Sequence, residues 1–493
     1  MEDWKEIYHQ RLVTADEAVK YIPNGSRVLI GHAANQPPTL VDAMCRNYQQ
    51  YQNVELVHWV TLYDSKYCAP EMEGHLRFNG LFISGSNRKA VADNLADFTP
   101  TYFGQCPRFF RDGTLPIDVV LISVTPPNEH GYCSLGVSVG GTMPATRAAK
   151  LVIAQVNRNL PRTYGDSHIH VSQIDFLVEE DSPLPIMPPG QIGEVEAAIG
   201  KHCAALIEDG STLQLGIGSI PDAVLQSLTD KKDLGIHSEM IADGVIDLCE
   251  RGVINGAQKT IHKGKIVVAF LMGSQRLYDF VNNNPNVEVL PVDHVNDPWV
   301  IGQNHKMVSI NSCLQVDFNG QVNSESIGTK QFSGVGGQLD YCLGGGLCYP
   351  AGADISIAVK GTLFGAPEAK LSVVGGSGHL SRILPPQVQR DMNYCGTFLT
   401  AEELHDKFGG VTMVVETLDE LMPAAIAKAE ELCRRGPLVL RYLKACMNEQ
   451  EDFQMHRKNE AEVTYTRYMA RHADFREGVE AFLEKREPDY QGK

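Results

Sequence analysis

With 493 residues and 43% hydrophobic content, the chain is long enough for two or three domains, each with its own core. A net charge of −17 argues against nucleic acid or an anionic membrane as the main partner. Lysines or helix N-termini on an acidic protein can still hold a phosphate-bearing ligand. The start, M-E-D-W-K-E, is charged with no apolar run behind it, so no secretory signal is expected. No stretch approaches the roughly 18 apolar residues of a membrane span. Twelve cysteines without a C-x-x-C pair point to reduced thiols and a cytoplasmic protein. His130 and Cys133 lie close together, but no second pair follows at zinc spacing, so no metal is expected.

In chain order, short apolar runs rich in β-branched residues at 27–30, 54–58, 119–124 and 151–156 read as buried strands. Helical patterns at 39–45 and 143–150 lie between them, and such alternation predicts α/β architecture with largely parallel sheets. Residues 182–190, S-P-L-P-I-M-P-P-G, can be neither internal strand nor helix and form the best linker in the chain. A helix from 193 to 207 and a strand at 212–215 then open a second α/β unit. Beyond about residue 341 the texture turns helix-rich. Thr400 and Glu403 fit a capping box on a helix that stops near Gly409-Gly410, and a further helix runs from Thr417 to Arg435 before Gly436-Pro437.

Two features carry chemistry. The strand at 212–215 leads into G-I-G-S-I-P-D at 216–222, where Gly216 and Gly218 let a ligand approach the backbone. Ser219 is placed to cap the helix that follows, whose free N–H groups suit an anion. The same pattern also fits a plain strand-to-helix turn. Some twenty residues on, Glu239 stands in an apolar stretch with His237 as a nearby candidate for a hydrogen-bond partner, although a lone histidine is more often a satisfied core residue. Dry surroundings raise a carboxylate's pKa and sharpen it as a nucleophile once ionised. A glutamate there also fits a paired structural acid.

Longer segments separate these readings: T-P-P-N-E-H-G-Y-C-S-L-G at 125–136, G-E-V-E-A-A-I-G-K-H-C at 193–203, G-I-G-S-I-P-D-A-V at 216–224, H-S-E-M-I-A-D-G at 237–244, N-S-C-L-Q-V-D at 311–317 and Q-F-S-G-V-G-G-Q-L-D at 331–340. Over about residues 1–340 the chain strongly resembles class I CoA-transferases of the acetyl-CoA hydrolase/transferase type. The resemblance implies an N-terminal α/β domain at 1–185 and a catalytic α/β domain at 186–340, incomplete at its C-terminal end. It implies that Glu239 forms a glutamyl-CoA thioester, with Gly216, Ile217, Gly218, Ser219 and Ile220 as a CoA-contacting loop. Gly334, Gly336 and Gly337 would line the same cleft, and Asn311 would orient the acyl carbonyl. The substrates implied are a short-chain acyl-CoA of the 4-hydroxybutyryl or butyryl type and a carboxylate such as acetate. CoA would be substrate, with no further cofactor, and the protein a homo-oligomer.

From 341 to 493 the resemblance changes to the later half of an enoyl-CoA hydratase/isomerase (crotonase), carried by L-G-G-G-L-C-Y-P-A-G-A-D-I at 343–355, F-G-A-P-E-A-K-L at 364–371, L-T-A-E-E-L at 399–404 and R-E-G-V-E-A-F-L-E-K-R at 476–486. Gly345 would donate an oxyanion N–H and Glu368 would be one of two hydratase glutamates. The other falls at Cys348, which cannot act as an equivalent base, so hydration is not expected there. A crotonase-type hydratase and an inactive acyl-CoA-binding fusion are the rival readings.

Overall fold

The computed structural model describes residues 3–188, 190–316, 322–328, 330–343, 355–365, 383–395 and 397–436, with a few more up to 447. It divides into two compact units, Met1–Gly344 and Gly345–Lys493. Gly345, Cys348 and Glu368 lie outside the described residues, as does the segment 476–486.

In the first unit the strands follow the apolar runs. They are β1 (Arg27–Ile30), β2 (Val54–His58), β3 (Leu76–Gly80), β4 (Asp97–Phe98), β5 (Val119–Val124), β6 (Tyr132–Ser134), β7 (Leu151–Val156), β8 (Tyr164–Gly165), β9 (His168–His170) and β10 (Phe176–Glu179). Seven of them form a sheet in the order β10-β7-β5-β1-β2-β3-β4, parallel at every pairing. All six residues of β5, an inner strand, are buried, as a strand covered on both faces requires.

After the proline-rich segment come β11 (Thr212–Leu215), β12 (Gly235–Ile241), β13 (Ile266–Leu271), β14 (Val287–Val289) and β15 (Met307–Ile310). They build a second parallel sheet, β15-β11-β12-β13-β14-β8, whose last strand comes from the first half of the chain. One apolar cluster runs from Val120, Ile122 and Val124 through Val137 and Val139 to Val267, Ala269 and Leu271, so the two sheets share a continuous core. A second cluster, including Val28, Ile30, Leu40, Met44, Leu56 and Phe78, packs the other face of the first sheet.

The helix expected at 193–207 is Glu194–Ala205, and that at 39–45 is Pro38–Arg46. In the second unit Ile357–Val359 pairs in parallel with Met413–Val415, and Leu363–Gly365 antiparallel with Phe398–Thr400. Phe364, Leu384, Met392, Ala401, Leu404 and Val411 make its small core. The Thr400/Glu403 capping box forms, and the turn it opens ends at Gly409 in the left-handed conformation. Among the described residues no helix is long and apolar enough to cross a membrane.

Candidate active site

The site sits at the C-terminal ends of β11 and β12, where a parallel sheet leaves its binding crevice. Thr212 and Leu213 pair with Gly235 and Ile236, but Leu215 pairs with Met240, so β12 bulges at Ser238 and Glu239. Ser238 fills the break in the ladder. Its hydroxyl accepts from the Leu215 backbone N–H at 3.1 Å and donates to the Met240 carbonyl at 2.7 Å. A bulge re-aims the side chain at its crest, and here that side chain is Glu239.

Glu239 opens into a cavity of about 320 Å³, lined also by Gly216, Ile217, Asn311, Gly334, Gly336 and Gly337. Gly218, Ser219 and Ile220 are not among its lining residues. The structure thus brings Glu239 together with both glycine segments and Asn311. Ser219 is the first residue of the helix Ser219–Gln226 and not its cap; Gly218, with φ +118°, precedes it and no side chain caps the turn. The positive φ at 218 supplies the sharp exit from the strand that a side chain would resist.

The partner of Glu239 is not His237. Asn296 Nδ2 donates to Glu239 Oε2 at 2.7 Å and also to Asp340 Oδ2 at 3.0 Å. His237 is fully buried and pairs through Nε2 with the Val295 carbonyl at 2.9 Å. Burial pushes its pKa down to about 3, so it stays neutral. Asp340, also buried, accepts from the Gly104 N–H at 3.0 Å, and Tyr341 donates to the Val295 carbonyl at 3.1 Å. Burial raises the Glu239 carboxyl to about 8; the Asn296 hydrogen bond opposes the shift and the Asp340 charge adds to it. Burial likewise raises Asp340 to about 7, against the hydrogen bonds from Asn296 and Gly104. Two carboxyls on one amide do not both ionise freely, and their titrations belong to the pair.

Gly337 shows how tightly the carboxylate is held. A Cβ at that position would lie 1.6 Å from Glu239 Oε2 and 2.2 Å from Asn296 Nδ2. Asn311 is held by an amide pair with Gln214, with Nε2 of Gln214 donating to Asn311 Oδ1 and Asn311 Nδ2 donating to Gln214 Oε1, each at 2.9 Å. Five aromatic residues, Trp59, Phe82, Phe103, Phe270 and Phe332, also line the cavity together with His32, beside aliphatic and polar residues such as Met240, Met272, Ser312 and Ser333. His32 is buried between the rings of Trp59, Phe103 and Phe270, and burial drives its pKa well below the usual imidazole value. A neutral carboxyl-sized polar corner at the end of an apolar cleft suits an acyl thioester. Among the described residues no group of three or more His, Cys, Asp or Glu is placed to hold a metal ion.

Asn296, Asp340 and His32 were missed as site residues from the sequence. Asp340 ends the G-x-G-G-Q-x-D segment already singled out, which was the available signal. Asn296 and His32 carried none.

Family models match both halves of the first part of the chain. The acetyl-CoA hydrolase/transferase N-terminal domain matches residues 1–188 and the corresponding C-terminal domain residues 273–362. The 4-hydroxybutyrate coenzyme A transferase of Clostridium kluyveri is 53% identical over 383 residues, 78% of this chain and 86% of that protein. The chain belongs to the acetyl-CoA hydrolase/transferase family. It is therefore a CoA-transferase-type enzyme in its first part. A butyryl-CoA:acetate CoA-transferase of Anaerostipes caccae is 32% identical over 69% of this chain and 78% of its own length. Among solved structures, a 4-hydroxybutyrate CoA-transferase of Porphyromonas gingivalis matches with TM-score 0.58 and 43% identity, covering 64% of this chain and 76% of its own. RipA from Yersinia pestis matches with TM-score 0.65 and 33% identity, covering 69% and 80%. Residues 335–493 match an enoyl-CoA hydratase/isomerase model. A probable mitochondrial enoyl-CoA hydratase of Arabidopsis thaliana is 31% identical over 30% of this chain and 50% of its own length. The transferase and hydratase matches overlap over residues 335–362.

Proposed function

We propose that the protein moves CoA between a short-chain acyl-CoA of the butyryl or 4-hydroxybutyryl type and a carboxylate such as acetate, through a glutamyl-CoA thioester on Glu239. The observation that carries the reading is the bulged strand that aims a raised-pKa carboxyl into a cavity lined in part by aromatic residues, with Asn296 and Gly337 fixing it. In the ionised state Glu239 attacks the thioester carbonyl and releases CoA thiolate. The thiolate attacks the resulting anhydride and frees the first acid, leaving glutamyl-CoA. An incoming carboxylate reverses these steps. The Gly216 N–H is committed to the Ile310 carbonyl at 2.8 Å, so it is not free to hold an oxyanion. The apolar residues of the lining limit the water that would hydrolyse the anhydride. A cavity of about 320 Å³ with aromatic residues in its wall favours a short acyl chain, and the relatives named for butyryl-CoA and 4-hydroxybutyrate support the same class.

The experiment is exchange between butyryl-CoA and acetate, measured with Glu239→Ala and Glu239→Asp. Alanine removes the nucleophile and abolishes exchange. Aspartate, one methylene shorter, falls out of reach of the acyl carbon and loses most of it. A fully active alanine variant ends the covalent reading.

A further inference from the structure

The amide of Asn296 stands between two carboxyls. Both hydrogens on Nδ2 are committed, one to Glu239 Oε2 and one to Asp340 Oδ2, while Oδ1 is buried without a hydrogen-bond partner among the described residues. Reversing the amide would turn an acceptor toward two acceptors, so the two carboxyls fix its orientation. When Glu239 is acylated its carboxyl loses its charge and becomes a weaker acceptor. Asp340 keeps its hold, because it is anchored in turn by the Gly104 N–H and sits on the helix Gln338–Leu343, directly after Gly337.

We propose that Asp340 is a positioning residue that keeps Asn296 Nδ2 aimed at Glu239 Oε2 through the covalent cycle, making that amide the oxyanion donor for the glutamyl carbonyl. The inference rests on Glu239 as the nucleophile. Oε1 is then the atom that bonds to the acyl carbon, and Oε2 remains the carbonyl oxygen. When CoA thiolate attacks Cδ of Glu239, the S–Cδ bond forms and Oε2 takes up the negative charge against Asn296 Nδ2. Its return expels the carboxylate with the electron pair of the Cδ–Oε1 bond. A preorganised donor at that oxygen lowers the barrier of this half of the exchange, and of its reverse.

Asp340 also faces Glu239 as a like charge. Among the described residues, the other titratable groups that interact with the pair are Tyr341 on the same helix, Asp297 just after Asn296 and the buried Cys106 thiol. Among the described residues no cation offsets either carboxyl.

The test uses Asp340→Asn, Asn296→Ala and the double variant in the full chain, with kcat for butyryl-CoA/acetate exchange followed against pH. Asp340→Asn keeps the volume and an acceptor but removes the charge. It lowers kcat about tenfold while KM for butyryl-CoA stays near the wild-type value. The acid limb moves to lower pH, because Glu239 no longer ionises beside a carboxylate. Asn296→Ala lowers kcat roughly a hundredfold and moves the acid limb the other way, and the double variant is no slower than Asn296→Ala alone. A folded Asp340→Asn with unchanged kcat and acid limb overturns the proposal, as do losses that multiply in the double variant. If Asp340→Asn does not fold, Asn296→Ala decides: near-normal kcat refutes the donor role. Inactivation of wild type by hydroxylamine after exposure to butyryl-CoA is measured first. Its absence refutes the glutamyl reading itself, whereas its presence with an unaltered Asp340→Asn refutes only the positioning role.

Discussion

Replacing Gly337 by alanine is the sharpest perturbation of this site that adds a single methyl group. The new carbon would start 1.6 Å from Glu239 Oε2 and 2.2 Å from Asn296 Nδ2. Restoring a van der Waals separation of about 3.5 Å requires the carboxylate, the amide or the helix Gln338–Leu343 to move by roughly 1.5–2 Å in total. A misplacement of about 1 Å in a reacting group costs on the order of a hundredfold in rate, so kcat/KM is expected to fall by about 10²–10³, or ~3–4 kcal/mol of transition-state stabilisation. The clash falls on the ends of two polar side chains, so the fold survives. The assay is butyryl-CoA:acetate exchange, with the melting temperature and circular dichroism as folding controls. Activity within threefold of wild type in a folded Gly337→Ala would refute the claim that this glycine, Glu239 and Asn296 form one packed unit.

Three further outcomes follow from the same geometry. Trp59→Ala deepens the aromatic end of the cavity, so the ratio of kcat/KM for hexanoyl-CoA over butyryl-CoA should rise by about tenfold; an unchanged ratio removes Trp59 as a limit on chain length. Glu239 and Asp340 have carboxyls raised to about 8 and about 7, above ordinary carboxylate values, so their folded forms hold protons that the unfolded chain releases. Stability from these groups is therefore complete below about pH 4 and declines as pH rises toward 8. Glu239→Gln, measured by thermal melting at pH 5 and pH 8.5, should flatten that decline and melt higher than wild type at the alkaline pH. The C-terminal unit should not hydrate crotonyl-CoA, because the crotonase resemblance puts Cys348 at the place of a second carboxylate. Hydration that disappears with Glu368→Gln would show otherwise.

Much of the fold was legible because buried parallel strands leave an unambiguous mark. The runs at 27–30, 54–58, 119–124 and 151–156 are strands with those same limits, and each is dominated by apolar residues that cannot alternate with solvent. The pairing of β8 with β14 was not legible, since two residues, Tyr164 and Gly165, carry no pattern of their own. At the site, Glu239 and the glycine segments stood out because a lone acid among apolar residues and clustered glycines are both unusual locally. Asn296 did not, because its meaning is entirely tertiary: its amide meets Glu239 across 57 residues of chain and Asp340 across 44. His237 attracted attention by adjacency in sequence, yet its ring bonds to the Val295 carbonyl while the bulge at Ser238 turns Glu239 toward Asn296. Residue type alone points to Ser219 as a cap, whereas the positive φ at Gly218 makes the glycine the last residue before the helix.

The central claim is that Glu239 becomes covalently acylated and then carries CoA. Incubating the protein with butyryl-CoA, reducing with borohydride and mapping the digest by mass spectrometry tests it directly. The account predicts reduction of the glutamyl thioester to the alcohol on the peptide containing Glu239, and none when butyryl-CoA is omitted. Modification at a different residue, or no modification while exchange proceeds at full rate, would contradict it.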